Sequence, residues 1–169
     1  FKYGTNTIIK NVNYKFIKNK IYGIYGDSGK GKTTLMMVLS GILKLNSGLL
    51  KINKNDFSRY QINWGNKIGF MSQYNIMVDD SLTQSLFLEE KIDKKKINEA
   101  KLYLIKFKLK KLIKYLNTSK NNYYSLGGML SGGEKQRLSI IRTILLGKEI
   151  LFFDEPTASL DKKNEKIVM

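Results

Sequence analysis

The sequence has no cysteine, no histidine and a single proline in 169 residues. Without cysteine there are no disulfides, no thiolate metal sites and no sulfur nucleophile, a usage compatible with a reducing compartment. Without histidine, the usual proton carrier near neutral pH is gone, and any general base must be a carboxylate or a lysine. Acidic residues are scarce, 14 against 30 basic ones, for a net charge of +16. Long apolar runs are missing too, and no stretch approaches the roughly 20 residues of a membrane-spanning helix.

What is present belongs to a folded chain. Hydrophobic residues make up 42% and charged residues 26%, which excludes the disordered class. The length suits one domain with a real core rather than two. The positive charge raises a nucleic-acid or anionic-membrane reading. Only Arg59, Arg137 and Arg142 are arginines, however, and the other 27 basic residues are lysines spread along the whole chain. A nucleic-acid surface usually concentrates arginine forks in a stripe. Dispersed lysine instead charges every solvated face, so no specific nucleic-acid partner is expected.

Alternation of Val12, Tyr14 and Phe16 with polar residues predicts a half-buried strand over 12–16, and the apolar pattern of 21–25 predicts a second. The second runs directly into Gly26-Asp27-Ser28-Gly29-Lys30-Gly31, and residues 32–42 read as a helix closed near Gly41. Further strands are expected over 49–52, 68–71 and 150–153, the last wholly apolar and buried. Residues 82–116 have helical spacing, with Ile97, Leu104, Ile105 and Leu109 among lysines, and 131–146 reads as another helix. Strands alternating with helices predict an α/β domain around a mainly parallel sheet.

The turn fits Gly26-x-x-x-x-Gly31-Lys32-Thr33, a phosphate-binding loop. Its glycines let backbone amides turn toward phosphate oxygens, and the next helix offers its positive end to the same anion. Lys32 would reach the β and γ phosphates, and the Thr33 hydroxyl would ligate Mg²⁺. The bland alternative, an ordinary strand-to-helix turn, does not ask for this spacing. A second landmark is Leu130-Ser131-Gly132-Gly133-Glu134-Lys135-Gln136-Arg137. Ser131 and Glu134 make a capping box that would start a helix whatever its function. A capping box does not require two glycines, and the octet arises by chance only about once in 10⁵ such compositions.

This octet resembles the signature motif of the ATP-binding cassette (ABC) ATPases, with Glu134 where glutamine is common. The remaining motifs follow in the family's order. Ile150-Leu151-Phe152-Phe153-Asp154-Glu155 is similar to the Walker B strand, Ser159-Leu160-Asp161 to the D-loop, and Gln73 to the Q-loop glutamine. Tyr3 stands where the aromatic that stacks on adenine is found.

The resemblance implies a P-loop NTPase core over 1–74 and 130–169, an inserted helical subdomain over 75–129 and an N-terminal antiparallel β portion. It implies ATP and Mg²⁺ as cofactors. Nucleotide would be held by Tyr3, Gly26, Asp27, Ser28, Gly29, Lys30, Gly31, Lys32, Thr33 and Thr34, and, from the opposite subunit, by Ser131, Gly132 and Gly133. The metal would be held by Thr33, Gln73 and Asp154. Glu155, Lys32 and Gln73 would be catalytic, with Glu155 orienting and deprotonating the attacking water, since no histidine competes for that role. Implied partners are a second cassette, identical or not, and a transmembrane transporter domain, which places the chain at the cytoplasmic face of a membrane.

The expected function is ATP hydrolysis that powers transport, with export favoured by Asp79-Asp80-Ser81-Leu82-Thr83 and Gly127. The alternative is a nucleic-acid- or ribosome-linked ABC ATPase, against which the short interval from Gln73 to Ser131 leaves no room for a long insertion. A catalytically silent module is opposed by Lys32, Asp154 and Glu155, and a small-molecule kinase by the octet. Three departures stand out. Lys30 occupies a loop position usually held by a small residue. The family's switch histidine would lie beyond Met169, and so would the last sheet strand, so the sequence is expected to be a fragment of a longer cassette.

Overall fold

The structure, a computed structural model, describes residues 1–53, 55–56, 64–74, 81–88, 92–116 and 126–168. The chain forms two compact units, Phe1–Ile68 and Gly69–Met169. It is mixed α/β, with short two-stranded pairings and several helices.

In the first unit, β1 (Lys2–Tyr3) and β2 (Asn6–Thr7) pair antiparallel around Gly4, whose φ of 57° suits a tight turn. The Phe1 ammonium closes this hairpin on the Ile9 carbonyl at 2.8 Å. Helix α1 spans Lys32–Leu39, shorter than the expected 32–42. Gly41 takes φ 78° and donates to the Val38 carbonyl, so the chain leaves the helix in the left-handed turn that glycine favours. A short hairpin, β3 (Lys51–Ile52) with β4 (Asn55–Asp56), replaces the strand expected over 49–52.

The strands expected over 12–16 and 21–25 do not form ladders. Both segments lack regular secondary structure, joined by a turn at Lys18 and Asn19, with Asn19 at φ 61°. Aromatic rings hold them together: Phe16 lies 5.0 Å from Tyr22 and Tyr14 lies 5.9 Å from it. The Ile17 N–H donates to the Tyr22 hydroxyl at 2.7 Å, a donor that a ladder would have used. Val12, Tyr14, Phe16, Ile21 and Tyr25 stay exposed, so the burial that alternation implies is not realised among the described residues.

In the second unit, the helical stretch expected over 82–116 breaks into α2 (Leu82–Phe87), α3 (Lys94–Lys106) and a 3₁₀ segment, Lys110–Tyr115. The breaks have local causes. Ser81 caps α2 in a box with Gln84, Leu88 ends it in the left-handed region, and Asp93 caps α3 by accepting from the Lys96 N–H at 2.7 Å. Helix α4 (Leu126–Met129) precedes α5 (Gly132–Leu145), and α6 (Lys162–Val168) closes the described chain. Leu82, Leu86, Leu104, Leu109, Leu138 and Ile141 are fully buried in one core, each contributing roughly 1.5–3 kcal/mol. Leu104 and Leu109 meet the expectation, whereas Ile97 only borders this core and Ile105 is exposed. The core joins α5 to α2 and α3.

Strands β5 (Ile68–Met71) and β6 (Ile150–Phe153) lie side by side. The Asp154 N–H donates to the Met71 carbonyl at 2.9 Å, which brings both C-terminal ends together, as in a parallel pair. Gly69 permits this packing, since a Cβ there would meet Leu151 Cδ2 at 2.8 Å. The strand β6 was expected to be buried throughout. Ile150 and Leu151 are instead partly exposed, because β5 is the single ladder partner of β6 among the described residues.

Candidate functional site: a phosphate loop and a carboxylate clamp

In the first unit the loop that carries Gly26, Asp27, Ser28, Gly29 and Lys30 turns through Gly29 at φ 77° and Gly31 at φ 85°. Gly31 is doubly constrained, because a Cβ would come within 2.6 Å of Ile8 Cγ2. That contact brings Ile8, just past β2, against the loop. The Tyr3 ring is half exposed and meets Phe1 edge-on at 4.9 Å. Gly31 is also the cap of α1. It supplies no side chain to the helix end, and the first turn, with Lys32, Thr33 and Thr34, holds no acidic residue. An uncapped, uncountered helix N-terminus suits an anion.

The Lys32 ammonium folds back over the loop, donating to the carbonyls of Gly26 at 2.8 Å and Asp27 at 2.9 Å. Lys30 is exposed, as are Gly26 to Gly29 before it. These donors fit a phosphate chain: a point charge, glycine-permitted backbone turns and a helix dipole all converge on one loop.

In the second unit β6 delivers Asp154, almost fully buried, and then Glu155. Glu155 has φ 48°, a left-handed conformation that costs a non-glycine residue roughly 1 kcal/mol, and it precedes Pro156, which normally requires an extended neighbour. Its carboxylate Oε2 accepts from Gln73 Nε2 at 2.9 Å, so the glutamine just past β5 meets the carboxylate just past β6. A hydroxyl, a carboxylate and an amide oxygen, from Thr33, Asp154 and Gln73, are hard oxygen donors of the kind Mg²⁺ takes.

The signature segment starts α5. Ser131 Oγ accepts from the Glu134 N–H at 3.3 Å, and Glu134 Oε2 accepts from the Ser131 N–H at 3.0 Å, completing the expected capping box. The second carboxylate oxygen of Glu134 pairs with Lys111 Nζ at 2.6 Å. Burial alone would raise the Glu134 carboxyl; the Lys111 hydrogen bond, the Ser131 N–H, the Lys111 charge and the Ser131 hydroxyl outweigh it and hold the carboxyl below its ordinary value.

The two glycines do different things. A Cβ on Gly133 would touch Leu160 Cδ2 and the Ser159 carbonyl at 3.4 Å, whereas among the described residues nothing lies within 4 Å of one on Gly132. Asp161 caps α6, accepting from the Asn164 N–H at 2.8 Å and the Lys163 N–H at 3.0 Å. The Asn164 N–H is the main cause of its lowered carboxyl, despite slight desolvation.

The sequence reading assigned no role to two residues here. Lys111 gives no signal in a lysine-rich chain. Gln136 is a buried amide within α5 whose Nε2 donates to the Glu155 carbonyl at 2.9 Å and whose Oε1 accepts from the Ser159 N–H at 2.8 Å. Its advance signal is its place in the signature octet, which gave it no role of its own. Asp79 and Asp80 lie outside the described residues.

A family model described as "ABC transporter" matches residues 9–158. The chain is 31% identical over 173 residues to the multidrug resistance-like ATP-binding protein MdlA of Buchnera aphidicola subsp. Baizongia pistaciae, covering 98% of this chain and 29% of that protein. It is 30% identical over 183 residues to the phosphonates import ATP-binding protein PhnC of Fusobacterium nucleatum, covering 99% of this chain and 70% of that protein. Among solved structures, a bacterial Atm1-family ABC exporter with ATP bound matches 84% of this chain at 25% identity with a TM-score of 0.69, the match covering 25% of the exporter chain. The chain thus spans under a third of the MdlA relative and most of the PhnC one. With the family model covering the phosphate loop, the signature octet and the Asp154-Glu155 carboxylates alike, the chain belongs to the ABC transporter family.

Proposed function

We propose that this chain is the nucleotide-hydrolysing part of an ABC transporter, binding Mg-ATP and using its hydrolysis to drive a substrate across a membrane. The observation that carries this reading is the meeting of Gln73 with Glu155 at 2.9 Å beside buried Asp154, where the ends of β5 and β6 adjoin. Lys32 and the amides of Gly26 to Thr34 take the triphosphate, Tyr3 stacks on the base, and Thr33, Asp154 and Gln73 hold Mg²⁺. The metal offsets charge on the transferred phosphoryl group. Glu155 orients the attacking water and takes its proton.

Ser131, Gly132 and Gly133 serve the nucleotide of a second cassette, identical or not. The open space at Gly132 supports this, because no contact among the described residues asks for glycine there. Residues 1–74 with 130–169 act as the nucleotide-binding core, and 75–129 as the helical subdomain that docks on a transmembrane domain at the cytoplasmic face. No helix of the described residues is long and apolar enough to cross a membrane. Relatives named for import and for multidrug resistance both match; the exporter structure and the MdlA relative support export.

The test is Mg-ATP binding and turnover by the full chain and by Lys32→Ala. Removing an ammonium that makes charge-assisted contacts should weaken binding by on the order of a hundredfold with the circular dichroism spectrum retained. Calorimetry giving the same affinity for a folded Lys32→Ala protein would sink the assignment.

A further inference from the structure

Gln136 is buried inside α5, and both ends of its amide engage a segment of chain that begins 19 residues later: Nε2 donates to the Glu155 carbonyl at 2.9 Å and Oε1 accepts from the Ser159 N–H at 2.8 Å. The residue it grips is the strained one. Glu155 sits at φ 48° ahead of a proline, a conformation that persists only where surrounding contacts over-determine it. With its carbonyl held by Gln136, the side chain of Glu155 leaves in the direction that meets Gln73. The other end of the same helix is Ser131, capped by its box with Glu134. One rigid helix therefore carries both the signature serine and the amide that fixes the candidate base.

We propose that Gln136 is a positioning residue that sets the backbone of Glu155 for water activation and ties it to the signature helix, so that engagement of a partner's nucleotide at Ser131 bears on the base acting at this chain's own nucleotide. This rests on the ATPase reading above. Gln136 acts through Glu155 and Ser159. Losing its two hydrogen bonds frees Glu155 to relax toward the extended conformation that a residue before proline prefers. A displacement of that kind acts on the chemical step more than on nucleotide affinity, and about 1 Å of misplacement is enough for a loss near a hundredfold.

The experiment measures kcat and KM for Mg-ATP with the full chain carrying Gln136→Met, which keeps the volume and removes both hydrogen bonds. Gln136→Glu, which keeps the acceptor for Ser159 and loses the donor to Glu155, is measured beside it. Each is also placed on Glu155→Gln and followed by single-turnover kinetics. The expected result is a fall in kcat of about ten- to hundredfold with KM within about twofold. In the Glu155→Gln background, the expected result is no further fall. An equal fall in both backgrounds, or a rise in KM with kcat unchanged, would show a general packing role and overturn the proposal. If Gln136→Met does not fold, Gln136→Glu carries the test, and failure of both to fold assigns Gln136 to the scaffold. Wild-type turnover that is Lys32-dependent but matched by both Gln136 variants defeats the positioning role alone. Absence of Lys32-dependent turnover in the wild type defeats the ATPase reading and this proposal together.

Discussion

The side-chain amide of Gln73 donates to the carboxylate of Glu155 across 2.9 Å, although 82 residues of chain separate the two. The parallel pairing of β5 and β6 explains the meeting, since each residue follows the C-terminal end of its strand, where open α/β sheets place ligands. A glutamine amide is neutral, so the contact orients the carboxylate without pairing it with a charge.

Glu155→Gln therefore removes the proposed base and keeps the shape. The rate of hydrolysis should fall by on the order of 10²–10⁴ while ATP still binds. ATP-bound dimers should accumulate, which light scattering after size-exclusion chromatography would register. A variant that stays monomeric with ATP while the wild type turns over contradicts both the role of Glu155 and the need for a second cassette.

Gly132 and Gly133 separate folding from function. Neither has a positive φ or a contact that an added Cβ would violate, so Gly132→Ala and Gly133→Ala should each leave stability equal or raise it by up to about 1 kcal/mol. The loss should appear only in ATP-driven association and turnover. Thermal melts showing that either variant is strongly destabilised would return these glycines to a structural role.

The Glu134 carboxyl is held below its ordinary value in the fold, so its contribution to stability is present above the unfolded pKa and is lost as pH falls through the folded one. Glu134→Gln keeps a capping box and abolishes the titration. The stability difference between wild type and Glu134→Gln should be at most about 0.5 kcal/mol near neutral pH, because Lys111 is largely solvated, and should shrink on acidification below the usual glutamate range. A difference that grows on acidification in urea melts would be incompatible with this pairing.

The net charge of +16 should give only weak, sequence-insensitive binding to DNA or RNA, falling steeply with salt as counterion release requires. Fluorescence anisotropy with unrelated duplexes at several salt concentrations checks this. Sequence-selective binding that survives physiological salt would favour a nucleic-acid-linked role instead.

Local geometry was legible where it depends on spacing. Gly29 and Gly31 adopt the left-handed turns that the loop pattern asks for, and Ser131 and Glu134 form the capping box that their spacing predicts. The elements that failed depend on partners distant in sequence. The alternation of Val12, Tyr14 and Phe16 says that one face could be buried, but not that rings would take the place of a ladder. The helical period over 82–116 survives in Leu104 and Leu109, yet periodicity does not locate the stops, which capping by Asp93 and the left-handed Leu88 impose. Gln136 was visible as a letter and silent as a role, because its two partners come from a turn that begins 19 residues later.

Lys32 already lies across its own loop, bonded to Gly26 and Asp27. A triphosphate arriving there meets a socket whose charge needs little rearrangement, so in the ATP-binding reading the conformational search drops out of the association step. The on-rate should then follow diffusional encounter, hastened by the field of a strongly cationic chain and slowed as salt screens it. Stopped-flow traces with a fluorescent ATP analogue should rise linearly with ligand concentration; a plateau would mean that the loop has to open before the phosphates can enter.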